Sequence, residues 1–160
     1  MSEILLDELD QKIIQRLVTD ARTSARTLGE ELGKSPTTIA NRIKKLEETG
    51  VISNYEAKID YQKLGFDWVV IIEVIVSKGQ LVETEDEIAK LDYVVAVYDV
   101  TGTSDIIVIG RFQTREQLSL FTKRLLAMEF VDRTVSHIVL NTVKEDFNFK
   151  TQMKTILKQK

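Results

Sequence analysis

The sequence predicts an α+β chain in two parts: three short helices, then a four-stranded sheet carrying two helices. Three observations carry this. Up to Gly50, apolar residues recur at three- and four-residue spacings, the period of helices with one buried stripe. After Gly50 the period shortens to runs rich in Val, Ile and Tyr, which favour strands. Those runs are interrupted twice by helix-like segments, giving the order β-α-β-β-α-β.

In the first helix, LDELDQKIIQRLVTD, Asp7 is placed to cap the N-terminus, and Leu6, Leu9, Ile13 and Leu17 share one face. The second runs ARTLGEEL behind Ser24, with Ala25, Leu28 and Leu32 inward, and stops at Gly33. Ser35 caps the third. Pro36, the only proline in the chain, takes its first position, where a missing N–H costs nothing. Ile39, Ile43 and Leu46 form its buried stripe and Gly50 ends it. Two helices joined by a short Gly-containing turn have the spacing of a helix-turn-helix, here winged-helix-like because a strand is expected next.

That strand is VISNYEAKID, followed by a connector around DYQKLGFD. WVVIIEVIV is a strand apolar on both faces, hence expected to be covered on both. QLVETEDEIAKL is an acidic helix, YVVAVYDV a strand, GTSD a turn and DIIVIGRF a strand. TREQLSLFTKRLLAM is a helix with Leu118, Phe121 and Leu125 inward, and TVSHIVLNTV is the last strand. This order is that of a ferredoxin-like sandwich. A short helix is expected in the tail through Phe149, Met153 and Ile156. The expected divisions are 1–50, a hinge strand and linker over 51–66, the sandwich over 67–144, and the tail 145–160.

Composition narrows the chemistry. At 160 residues, 43% hydrophobic and 29% charged, the chain suits one ordinary folded domain or two small ones. It has no cysteine, which excludes disulfides and thiolate metal sites and fits a cytoplasmic setting. The opening MSEILLDELDQK is acidic where a secretion signal would be basic. The longest apolar run, Trp68 to Val76, is broken by Glu73 and falls short of the ~20 residues of a membrane helix. Net charge is −3, yet between Arg22 and Lys45 the basic residues Arg22, Arg26, Lys34, Arg42, Lys44 and Lys45 face only Glu30 and Glu31. The sum is acidic; this patch is basic, and distribution matters more than the sum.

At about 100° per residue, with Ile39 inward, Thr37, Asn41 and Lys44 point away from the core. Lys34, Thr38 and Lys45 lie beside them. Short polar groups in the first turns can read base edges while surrounding lysines meet phosphates, and the capped N-terminus, with Ser35, favours a phosphate. Asn41 has the amide that pairs bidentately with adenine. Lys44 and Lys45 equally suit a plain solvated face. Arg42 falls nearer the core, where an ion pair serves as well as DNA contact. Arg22 and Arg26 suit the DNA backbone or solvent.

Together these segments resemble the leucine-responsive regulator/AsnC family, or feast/famine regulators. The resemblance covers about residues 5–144. It rests on LDELDQKIIQRLVTDARTSARTLGEELGKSPTTIANRIKKLEETGVISNYEAKIDYQKLG, on VYDVTGTSDIIVIG, and on VDRTVSHIVLNTVK. It implies a DNA-binding regulator whose C-terminal domain binds a small amino acid. It also implies dimers that pair through their sheets and assemble up to octamers, which agrees with a strand that has no polar face. The implied effector site lies between dimers, at Thr101, Gly102, Thr103, Ser104 and Asp105, with Tyr98, Thr134 and Ser136 lining it. Backbone N–H groups around Gly102 would hold the carboxylate and Asp105 the ammonium. From the residues alone, the favoured reading is that Gly102 serves a hairpin and Asp105 closes an Asx-turn; the resemblance turns it to the ligand. Many relatives have threonine at Ser136 and an aromatic residue at His137. The hydroxyl-rich loop points to a polar uncharged effector such as glutamine or asparagine. His137, the only histidine, reads as a half-buried structural residue on a strand.

Two other classes compete with this one. A small ferredoxin-like enzyme needs a positioned acid–base or nucleophile pair, and the sequence shows no triad, metal cluster or phosphate loop. An amino-acid-sensing module without DNA function would leave the basic, capped third helix unexplained. The expectation is therefore a non-enzymatic regulator of double-stranded DNA, without cofactor or membrane segment.

Overall fold

A computed structural model describes residues 5–77 and 79–147. They fall into two compact units, one of residues 59–143 and one of the residues before 59 together with those from 144 onward.

The first unit holds α1 (Glu8–Thr19), α2 (Ala25–Leu32) and α3 (Pro36–Glu48). Each begins where the caps predict. Asp7 and Asp10 form a reciprocal capping box, the Asp7 carboxylate accepting from the Asp10 N–H at 2.9 Å. Ser24 and Ser35 accept from the N–H groups three residues on, at 3.1 Å in both cases. Gly33 ends α2 at φ 64°, in the left-handed region that suits glycine. Ile13, Ile14, Leu17, Leu28, Ile39 and Leu46 make the core, with Leu6, Leu9, Ala25, Leu32 and Ile43 packed half-buried against it.

The strand expected over 51–60 is not formed: those residues carry no strand within this chain. A strand's backbone groups need a neighbour to bond, and one chain supplies none here. The tail helix expected through Phe149, Met153 and Ile156 lies outside the described residues.

The second unit starts with a short 3-10 turn, Gln62–Leu64, and continues as β1 (Trp68–Val76), α4 (Leu81–Ala89), β2 (Val94–Asp99), β3 (Ile106–Phe112), α5 (Arg115–Leu126) and β4 (Val131–Ile138). The strands lie in the order β2-β3-β1-β4, and every neighbouring pair is antiparallel. This is the expected βαββαβ sandwich. Alternate residues Val70, Ile72, Val74 and Val76 of β1 and Ile106, Val108 and Phe112 of β3 are buried, with Ile88 of α4 and Leu118, Phe121 and Leu125 of α5. Gly110 has a packing reason: a Cβ there would sit 2.8 Å from the fully buried Phe112 ring.

The bounds of the last strand need correction. The last strand starts at Val131 rather than Thr134, because a register shift at Ile75/Val76 of β1 admits Val131. It ends at Ile138; Leu140 and Val143, apolar in sequence, are 97% and 91% exposed. Within one chain, β1 is covered on its helix-side face only. The other presents Val69, Ile71 and Ile75 beside Ile107 and Ile109 of β3, and Ile71 is 36% exposed.

Candidate functional site

The turn between α2 and α3 depends on Gly29, a buried glycine within α2. A Cβ at this position would lie 2.7 Å from the Lys34 carbonyl oxygen and 3.3 Å from the Pro36 nitrogen. The turn therefore folds directly onto the α2 backbone, with the Lys34 N–H donating to the Gly29 carbonyl at 2.9 Å. Sequence reasoning missed Gly29. Its signal was a glycine inside a helix, costly unless another backbone comes close.

On α3 the outward face is as expected. Thr37, Asn41, Lys44 and Lys45 are all exposed, and so are Lys34 and Ser35 in the turn. The Ser35 hydroxyl caps the helix and also lies 2.8 Å from the Thr38 hydroxyl, so both are engaged with each other. Lys44 pairs loosely with Glu48 at 3.6 Å, an exposed contact that binding can exchange at little cost. Arg26 pairs with Glu30 at 3.2 Å, and Arg22 is exposed ahead of α2.

Arg42 does something else. Its guanidinium turns back to α1, bonding to the Asp7 carboxylate and lying 3.2 Å from both oxygens of Asp10, whose side chain is only 2% exposed. Of the two roles open from sequence, the structure shows the ion pair. The Asp10 backbone N–H and then Arg42 hold the Asp7 carboxyl below its ordinary 3.8. Arg16 on α1 also reaches Glu31 on α2 at 3.1 Å. Charge thus fixes α3 to α1 and α1 to α2, beside the packing of Ile39 and Leu46.

In the second unit the segment 100–105 is a closed hairpin: the Val100 N–H donates to the Asp105 carbonyl at 3.0 Å. Gly102 sits at φ 137°, and a Cβ on it would meet nothing within 4 Å, so space above the loop is open. Thr101 and Thr103 are exposed, while Ser104 is buried at 9%. Asp105 also has a partner within the chain. One of its carboxylate oxygens accepts from the Val76 N–H at 2.9 Å, and its own N–H bonds to the Val74 carbonyl, so it ties the loop to β1.

The remaining expected residues do not converge within one chain. Tyr98 is on β2 and Thr134 and Ser136 are on β4, at opposite edges of the sheet and roughly 14 Å apart across three strand spacings. They also differ in face: Tyr98 pairs with Ile107 on the open side, whereas Thr134 and Ser136 pair with Val74 and Ile72 on the helix side. His137 is exposed rather than half-buried, its Nε2 2.9 Å from Glu73 Oε1 on the open face. Sequence reasoning also missed Glu85 on α4. One of its oxygens is buried without a partner, and burial, with Asp99 and Asp86 nearby, pushes its carboxyl up. Among the described residues no group of three or more His, Asp or Glu could hold a metal, and no helix is long and apolar enough to cross a membrane.

Comparison with known proteins matches both units. The AsnC-type helix-turn-helix domain family matches residues 6–47, and the Lrp/AsnC ligand binding domain family matches residues 69–149. An uncharacterised HTH-type transcriptional regulator of Pyrococcus abyssi is 45% identical over 91% of this chain and 99% of its own. The HTH-type transcriptional regulator FL11 of Pyrococcus horikoshii is 37% identical over 88% of this chain and 93% of its own. Among solved structures, AsnC of E. coli superposes with a TM-score of 0.83 at 26% identity, covering 89% of this chain and 97% of that one. A Neisseria meningitidis transcriptional regulator solved with L-Met also scores 0.83, at 25% identity, covering 90% and 96%.

Removing the Arg42 charge with Arg42→Met should lower the melting temperature of the helical unit, because Asp10 stays buried without its partner. It should do so more than Lys44→Met, which breaks only an exposed pair. The carboxyl of Asp7 is lowered in the folded state, so its contribution is full above the unfolded value near 3.8 and is lost as pH falls through the folded value. The gap between Arg42→Met and wild type, followed by circular dichroism, should therefore narrow below about pH 4. An equal effect of both substitutions, or a gap independent of acid, would contradict the clamp.

Proposed function

This chain belongs to the Lrp/AsnC family and is an HTH-type DNA-binding transcriptional regulator, not an enzyme; on that premise we propose that α3 reads base edges in the major groove and that the sandwich senses a small amino acid. The observation that carries the DNA reading is the arrangement of α3. Thr37, Asn41 and Lys44 are exposed on one face, opposite the buried Ile39, while Arg42 anchors the helix from its flank. Asn41 is assigned to a base, with Thr37 and Thr38 beside it. Lys34, Lys44, Lys45, Arg22 and Arg26 are assigned to phosphates, as is the capped N-terminus at Ser35. Arg42 acts by positioning.

For the effector, the open space above Gly102 and the exposed Thr101 and Thr103 suit a carboxylate held by backbone N–H groups. The hydroxyls of Thr103 and Ser104 favour a polar side chain such as glutamine or asparagine. Asp105 serves by holding the loop to β1. Since Tyr98 and the Thr134–Ser136 pair lie at opposite edges, they complete one site only when different copies meet. The neisserial relative solved with L-Met supports amino-acid binding as the class of ligand. We further propose that two copies pair through the open sheet face, that dimers assemble up to octamers in the cytoplasm, and that effector binding between dimers changes how DNA is held.

Two measurements test these assignments. In gel shifts on cognate and scrambled DNA, Asn41→Ala should lose about 1–3 kcal/mol on the cognate site only. Lys44→Ala should weaken binding to both and reduce the salt slope by about 1. Equal losses on both DNAs for Asn41→Ala would remove it from base reading. In a thermal-shift screen of the twenty amino acids, an effector at about 100 times its dissociation constant should add roughly 2.7 kcal/mol. The shift should disappear in Gly102→Val. A shift that persists there would move the site elsewhere.

A further inference from the structure

A charge interrupts the apolar half of the sheet. On the open face, Glu73 of β1 lies between Ile71 and Ile75 along its own strand. Across the ladders it stands opposite Ile107 of β3 and Val135 of β4. Four apolar residues therefore ring a carboxylate, on the surface proposed above to meet a second copy. Nothing local asks for an acid there, since Glu73 breaks an otherwise apolar run from Trp68 to Val76.

Its partner is His137, the only histidine in the chain, which stands on β4 opposite Ile71. The ring Nε2 lies 2.9 Å from Glu73 Oε1. In the single chain water reaches both side chains, which are 54% and 33% exposed for His137 and Glu73, so the carboxylate keeps its charge at little cost. Three other titratable or charged groups share this face. Tyr98 of β2 stands opposite Ile107, Arg111 of β3 opposite Val69, and Arg133 of β4 opposite Ile75. Arg111 is held over the Tyr61 ring at 5.4 Å. Arg133, diagonal to Glu73, forms no ion pair among the described residues.

Covering the face changes this balance. A carboxylate taken out of water is costly unless a cation pairs with it. With the ring neutral, the pair carries one negative charge into the interface; with one more proton it carries none. Histidine is the side chain whose charge ordinarily changes between pH 5 and 8. Association should therefore take up protons, and by linkage a process that takes up protons weakens as pH rises. We propose that the Glu73–His137 pair makes association of copies through the open face proton-dependent, tight near pH 6 and weaker near pH 8. This rests on the paired-copy reading and adds the condition under which the pairing holds.

Sedimentation of the 160-residue chain, dye-labelled at its amino terminus and diluted to nanomolar concentration at pH 6, 7 and 8, tests it. The concentration at which half the chains are assembled should rise at least about tenfold from pH 6 to pH 8, the effect of one proton taken up across one pH unit. Glu73→Gln removes the charge and should remove the dependence, leaving assembly tight throughout. His137→Gln cannot take up the proton and should be as weak at pH 6 as wild type is at pH 8. Glu73→Gln keeps the shape of its side chain, so the test survives a His137 variant that fails to fold. A wild type that assembles equally well at pH 6 and pH 8 would overturn the inference and leave the paired face standing. A wild type that stays a single chain at every pH would overturn both. A dependence that survives in Glu73→Gln would also overturn it, and would point to another group such as Glu85 on α4, whose carboxyl burial pushes up.

Discussion

The half of the sheet that no helix covers constrains everything else this chain does. Each strand of a sandwich has two faces, and α4 and α5 cover only one. On the other, Val69, Ile71, Ile75, Ile107 and Ile109 form a contiguous apolar surface. At about 25 cal/mol per Å² of buried apolar area, such a surface favours association. Glu73, in the middle of it, does not contradict this: its carboxylate is already partnered by His137 at 2.9 Å. The proposed dimer follows from that face. The proposal of an effector site completed by several copies rests on it too, since the residues expected to line that site lie on opposite edges and opposite faces of one sheet.

The DNA-reading unit solves a different problem. Three helices of 12, 8 and 13 residues bury only a small core, so polar contacts share the work of fixing α3. The Arg42 cluster joins α3 to α1, the Arg16–Glu31 pair joins α1 to α2, and the turn lies directly on Gly29. The result is a helix whose buried side is fixed in place while Thr37, Asn41 and Lys44 stay exposed. Preorganisation of this kind lowers the ordering cost of binding.

Much of this was legible in the sequence because it is local. Asp7, Ser24 and Ser35 each cap the helix that follows, and capping depends on residues three apart. The buried stripes and the βαββαβ order follow from periodicity. What was not legible depends on partners distant in sequence. Arg42 meets carboxylates more than thirty positions away, and only its flank position hinted at this. The bond from the Val76 N–H to Asp105 likewise joins residues 29 positions apart. Tyr98 and Ser136 share a family motif set, yet the strand order places them at opposite edges. The hinge strand failed for the same reason: a ladder needs a neighbour that one chain does not supply.

Light scattering on the eluting 160-residue chain tests whether the open sheet face is an interface between copies. Wild type should show a mass of at least twice the 18.3 kDa chain, falling to that of one chain when Ile109→Lys places a charge on the face. A wild-type protein that elutes as a single chain, or an Ile109→Lys variant whose assembly is unchanged, would contradict it.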